Sequence, residues 1–272
     1  MKVYISADIE GVAGVVSPQQ GQPGNAEYER ARRLMTEEVN AAIAGAFAGG
    51  ASEVLVNDSH GPMTNILPEL LDARADLILG KPKRFNMAAG LTGDFDALFL
   101  VGHHAAASSF GVLAHTTNSF AFREVRLAGR ALGEPGIYGA YAGLLGVPVA
   151  LVTGDDRLAA EAGALFPQAE AVCVKTALGH RAARQVSVER ACAAIAAGAT
   201  RALRDIRAMR PFVIEGPFVA EFVMASPALA DQGAVLPPAR RQDATTLAFA
   251  CADAAEAVGW MTALSAMSAV LR

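Results

Sequence analysis

The sequence predicts an α/β fold: three layers, α/β/α, around a largely parallel sheet, with a smaller C-terminal α+β lobe. Three observations predict it. Short apolar runs rich in Val, Ile and Leu alternate with helical patterns through the first 160 residues. Acidic and histidine residues fall just after these runs, not within them. Finally, 53% of the 272 residues are hydrophobic, which is ample for a large core and excludes a disordered chain.

The elements follow in order. Lys2–Ile9 reads as a buried strand, and Glu10–Asn25 as a Gly- and Pro-rich loop. Ala26–Ala48 carries Leu34, Val39, Ile43 and Phe47 at helical spacing and stops at Gly49-Gly50. Further strands are expected at Glu53–Asn57, Asp76–Leu79, Asp96–Gly102, Ser119–Leu127 and Val147–Thr153. Glu134–Gly146 reads as a helix, Pro135 being acceptable in a first turn. Beyond Leu158 the pattern changes. Ser187–Met209 reads as a long helix, Phe212–Met224 as extended chain and Ala244–Leu271 as an apolar helix. We therefore expect one lobe over residues 1–160 and another over 161–272. The apolar excess of Ala244–Leu271 suits either a buried core helix or a place near a subunit contact.

Composition removes several function classes. A net charge of −4 and a pI near 5.8 leave no basic footprint for nucleic acid. Aromatics are too sparse, at 6%, for base-stacking platforms. Cys173, Cys192 and Cys251 are an odd, unpaired set, so a reducing cytoplasm is expected. Asp8 and Glu10 interrupt any apolar leader, and no stretch reads as a membrane span. HExxH, GxGxxG, GxxxxGK[ST] and GxSxG are all absent.

The chemistry is signalled by position. Asp8 and Glu10 stand at i and i+2 at the end of the first expected strand, which puts both carboxylates on one side. His60 follows the second strand, and His103 and His104 follow the Asp96–Gly102 strand. In open parallel sheets, the carboxyl ends of strands line the ligand crevice. A carboxylate and imidazole set there suits a hydrolytic metal site, including one in which a carboxylate bridges two ions. Each residue also has an ordinary explanation: a cap for Asp8, a turn for Asp58-Ser59-His60-Gly61, a first-turn acid for Glu134. Their coincidence on successive strand ends carries the metal reading. Consecutive residues leaving a strand point to opposite sides, so only one of His103 and His104 is expected to face Asp8 and Glu10.

These residues are familiar as a set. Ser6-Ala-Asp8-Ile-Glu10-Gly11, Asn57-Asp58-Ser59-His60-Gly61, Gly102-His103-His104-Ala105 and Gly111-Val-Leu-Ala-His115-Thr resemble the zinc-dependent D-aminopeptidases of the dipeptide-transport operon, the DppA-type metallopeptidases. Gly133-Glu134-Pro-Gly136, Gly154-Asp155-Asp156 and Val174-Lys175-Thr continue the match along nearly the whole chain. The resemblance implies two zinc ions. Asp8 would bridge them, Glu10 and His104 would complete one ion's ligands, and His60 and Glu134 the other's. It makes His115 the catalytic histidine, and with His104 a ligand the strand alternation leaves His103 behind the ligands or packed under the loop. It implies a homo-oligomer, a decamer of two stacked five-membered rings. The implied substrates are short peptides with N-terminal D-residues such as D-Ala. Ile137-Tyr138 departs from the pattern by placing an aromatic after the Glu-Pro-Gly turn, which bears on side-chain selectivity.

The expected function is thus a cytoplasmic, two-zinc aminopeptidase for short D-amino-acid peptides. Its rivals are another two-metal amidase or phosphoesterase, and a dipeptide-binding protein without turnover.

Overall fold

The computed structural model describes residues 1–272. In chain order the elements are β1 Lys2–Ala7, α1 Ala26–Ala48, β2 Glu53–Asp58, β3 Asp76–Ile78, β4 Ala97–Val101, β5 Phe122–Leu127 and β6 Arg130–Ala131. They continue with α2 Glu134–Leu144, β7 Val149–Asp155, α3 Asp156–Leu165, β8 Glu170–Gly179, β9 Ala182–Gln185 and α4 Val188–Ala202. The last are β10 Phe218–Met224, α5 Pro227–Gly233, β11 Arg240–Arg241, β12 Thr246–Cys251 and α6 Ala254–Met267.

Seven strands form one sheet in the order β3-β2-β1-β4-β7-β8-β9, parallel except for the β8–β9 hairpin. Its central strands β1, β4 and β7 are buried on both faces, so their side chains alternate between two cores. Val3, Ile5, Phe99 and Val101 pack into the core under α1 and α4. Tyr4, Leu98 and Leu100 face the opposite core, shared with α2. A second, antiparallel sheet, β11-β12-β10-β5-β6, lies on that opposite core through Phe122, Val125, Phe222 and Phe249. Three layers around a largely parallel sheet are therefore what the structure shows.

The helix α1 has the span read from sequence. Asn25 caps it by accepting from the Tyr28 N–H, and Gly49 ends it. Three regions differ. The stretch Ala244–Leu271 is not one helix: Thr246–Cys251 is a buried strand, and α6 starts at Ala254 behind an Asp253 cap. A six-residue apolar run has no periodicity to tell strand from helix, so pairing with β10 decides it. The Ser119–Leu127 strand begins at Phe122 and joins the antiparallel sheet instead of the parallel one. The long helix expected over Ser187–Met209 stops at Ala202. The boundary expected near residue 160 falls inside the first sheet, since β8 and α4 follow it while β5 and β6, before it, belong to the second sheet.

By length and composition, Ala254–Leu271 is apolar enough to cross a membrane. Here its Ala257, Val258, Met261 and Leu264 are buried in the core beneath the second sheet.

Candidate metal centre

β2, β1 and β4 are neighbours, and their carboxyl ends deliver the chemistry. Asp8 follows β1 directly, His60 lies two residues beyond β2, and His103 and His104 follow β4 by two and three. Glu134 opens α2, and His115 sits in the long loop between β4 and β5. The β1 and β4 loops press on each other. A Cβ on Gly11 would lie 1.9 Å from the His103 carbonyl oxygen, so only glycine fits there. The Gly11 N–H donates to the Gly102 carbonyl at 2.8 Å.

All six expected residues come together. His60 Nδ1 lies 3.2 Å from Asp8 Oδ1 and 2.9 Å from Glu10 Oε2. His104 Nε2 lies 3.4 Å from both Asp8 Oδ2 and Glu134 Oε1. His115 Nε2 is 3.8 Å from Glu134 Oε1. Asp8 is thus central, one oxygen toward each imidazole. Ligand atoms of Asp8, Glu10 and His104 lie within 4.8 Å of one another, and so do those of His104, His115 and Glu134. His60 approaches Asp8 and Glu10, whereas Glu134 approaches the His104 and His115 side.

The imidazoles are oriented by backbone. His60 Nε2 donates to the Gly21 carbonyl at 2.8 Å, and His104 Nδ1 to the Ala105 carbonyl at 2.9 Å. In each ring the other nitrogen faces the carboxylates, and its proton is the one a metal would displace. His115 follows the same logic: Nδ1 donates to the Leu113 carbonyl at 2.9 Å, leaving Nε2 on the cavity side. His103 is fully buried and its Nε2 faces the Ser6 carbonyl at 3.2 Å. Its Nδ1 has no partner, and the residue lies close enough to Asp8 and Glu134 to share a ligand cluster with them.

The electrostatics of the cluster are those of a site built for cations. Burial, together with the charge of Glu10, pushes the Asp8 carboxyl up to about 7. Burial opposes the charge on Glu134 as well, but the neighbouring His104 outweighs it and holds that carboxyl at about 2. Burial would lower His104, yet Glu134 and Asp8 raise it to about 10. His60 is likewise raised against burial by Glu10 and Asp8. His115 goes the other way, lowered by burial and by the charge of His104. His104 Nε2 is buried with no hydrogen-bond partner, its nearest carboxylate oxygens 3.4 Å away. An orphaned ligand atom facing buried carboxylates fits a divalent metal, and the N/O donor set suits zinc.

Two groups that sequence reasoning gave no role hold this loop in place. Lys175, on β8, is buried and donates to the carbonyls of Glu10 at 2.5 Å, Val12 at 2.9 Å and Val15 at 2.7 Å. Glu38, on α1, accepts the Ala13 N–H at 2.8 Å. Burial pushes Glu38 up to about 7 and Lys175 down to about 8. A signal for Glu38 did exist: it stands between Met35 and Ala42 on the helix's buried stripe. Asp155 caps α3 and also accepts the Val112 N–H at 2.7 Å, tethering the His115 loop.

A cavity of about 710 Å³ opens on the cluster, with Asp8, His60, His115 and Glu134 on its lining. Tyr138, one turn beyond Glu134, also lines it.

The chain is similar to known proteins over nearly its whole length. A model of the peptidase M55 family, D-aminopeptidase, matches residues 1–263. A D-aminopeptidase from Bacillus subtilis (strain 168) is 35% identical over 269 residues, covering 98% of both chains. The solved structure of the Zn-dependent D-aminopeptidase DppA from Bacillus subtilis, described as a self-compartmentalizing protease, superposes with a TM-score of 0.96 at 34% identity, over 99% of this chain and 98% of that one.

Proposed function

We infer the function from one premise: this chain belongs to the peptidase M55 family of D-aminopeptidases. It is a metal-dependent aminopeptidase that releases N-terminal D-residues. We propose two zinc ions per subunit, with Asp8 shared between them and Glu10, His60, His104 and Glu134 as the remaining ligands. The observation that supports this best is the inward-facing pair His60 Nδ1 and His104 Nε2, set on opposite oxygens of one buried carboxylate.

Zinc held there supplies Lewis acidity, polarising a carbonyl and acidifying water. The remaining work falls to the chain. His115 is proposed as the catalytic histidine. The Leu113 carbonyl fixes its tautomer, and burial with the His104 charge keeps it neutral. Its Nε2 is therefore a proton acceptor at neutral pH, suited to carrying a proton to the leaving amine. Tyr138 and the cavity wall confine the peptide, which accords with short substrates such as D-Ala dipeptides.

A self-compartmentalizing relative supports a homo-oligomer here, and we extend this to the decamer that the resemblance implies. A cytoplasmic location belongs to the same proposal, on the ground of three unpaired cysteines. One preparation tests the core of it: zinc content after dialysis, with rates on D-Ala-D-Ala and L-Ala-L-Ala. About two zincs per chain and strong preference for the D,D-peptide are expected. Metal-loaded protein that leaves D-Ala-D-Ala intact would refute the reading.

A further inference from the structure

We propose that the Lys81–Lys83 wall of the active-site cavity is the subsite for the free α-carboxylate of a short peptide, so that the enzyme reads both ends of its substrate. The proposal rests on the aminopeptidase reading above.

The lysines and the metal cluster share one cavity. Taken as a sphere, its volume of about 710 Å³ is roughly 11 Å across. An extended chain spans about 3.3–3.6 Å per residue. A di- or tripeptide with its N-terminus at the cluster therefore keeps its carboxylate inside the cavity that the lysines line, whereas a longer chain must leave it.

That wall carries positive charge without a carboxylate bonded to it. Lys81 Nζ donates only to the Gly61 carbonyl, at 2.9 Å. Lys83 Nζ donates to Asn57 Oδ1 and to the Asp58 carbonyl, both at 2.6 Å. Neither lysine forms an ion pair. Asp58 is the carboxylate that acts on Lys83, but its oxygens are taken by the Asn65 and Ile66 N–H groups and the Asn65 amide. The carboxylates lining the cavity are Asp8 and Glu134, both in the cluster. Arg272, the third cation on the lining, lies over the Phe120 ring and donates one N–H to Asn118 Oδ1 at 3.4 Å.

Lys83 is built for the task. It is half-buried, and its two acceptors at the end of β2 use two of its three protons. The third remains for a ligand, on an ammonium whose position is already fixed. A partly buried ammonium without a counter-charge is costly, and an arriving carboxylate relieves that cost. Lys81, more exposed, adds attraction at the mouth.

The test compares D-Ala-D-Ala with its C-terminal amide, which differ only in the group read by this wall. On zinc-loaded wild type, the free acid should be preferred at least tenfold in kcat/KM, about the worth of one charged hydrogen bond. Lys83→Met should bring the two substrates within about twofold, chiefly by raising KM for the acid. Lys81→Met should reduce the preference less. Calorimetry on metal-free protein gives a second readout, with D-Ala-D-Ala binding at least tenfold more weakly to Lys83→Met than to wild type. Equal wild-type rates on acid and amide would overturn the proposal even if Lys83→Met fails to fold. So would a preference that survives in both variants. If wild type cleaves neither substrate, the aminopeptidase reading fails, and the calorimetry still decides the subsite.

Discussion

The imidazole rings of His104 and His115 lie face to face, their centroids 4.0 Å apart and their planes 14° from parallel. Two stacked imidazoles in a buried site do not both carry charge at low cost. Here the neighbours divide the roles. Glu134 and Asp8 hold His104 up at about 10, while burial and that same His104 charge hold His115 down. Bound metal would replace the proton on His104 and leave the same sign of field on His115.

His115 is therefore expected to act in the chemistry and not in metal retention. Proton transfer by a placed side chain contributes about 10²–10⁴ in rate. His115→Ala should keep both zincs on elemental analysis and keep KM within several-fold. Its kcat on D-Ala-D-Ala should fall at least a hundredfold, by that measure. Loss of zinc together with activity would make it a ligand instead.

Asp8 has a different signature. Its Oδ1 faces His60 and its Oδ2 faces His104, so one side chain serves both halves of the cluster. Asp8→Ala should remove both ions after dialysis. Glu10→Ala, which touches the His60 side, should chiefly weaken one. Two ions retained by Asp8→Ala would contradict the shared position.

The metal-free cluster stores protons, and this fixes the sign of a pH effect. Without metal at pH 7, His60 and His104 are charged and Asp8, at about 7, is half-protonated. Metal needs neutral imidazoles and an ionised carboxylate. Zinc uptake at pH 7 should thus release roughly two to three protons in total. Affinity should rise as pH rises from 5 to 8. Calorimetry in two buffers of different ionisation heat measures the release directly, and a heat independent of buffer would rule it out.

Much of this site was legible because strands buried on both faces leave their polar residues at the ends. Asp8, His60 and His104 stood out for that reason, and α1 was framed by Asn25 and Gly49. β8 was not legible. Val172 and Val174 face the core, but Ala171 and Cys173 on the other face are apolar too, so no alternation marks the strand. Thr246–Cys251 failed for the same lack of contrast. Lys175 was quoted within a motif but given no task, because its partners are backbone carbonyls from a loop 160 residues away in the chain.

That lysine gives the last prediction. The segment from Glu10 to Val15 follows β1 with no strand or helix pairing of its own. Lys175 satisfies three of its carbonyls with one ammonium, and Glu38 takes the Ala13 N–H from the other side. The ammonium is buried, so its cost is borne only because all three protons are bonded and Glu38 lies near. Lys175→Met keeps most of the side chain's length but strands two buried acceptors, the Glu10 and Val15 carbonyls, while the Val12 carbonyl keeps the Val15 N–H at 3.1 Å. Each costs about 1–3 kcal/mol, so a loss of about 2 kcal/mol or more is expected, seen as a lower midpoint in urea. The loop also carries Glu10, whose carboxylate meets His60. A variant that still folds should therefore bind its ions unequally, with the weaker one reduced beyond what lower stability explains. Zinc titration of the folded variant at low temperature separates the two effects. Wild-type affinity for both ions there would show that Lys175 supports the fold alone, without setting the position of Glu10.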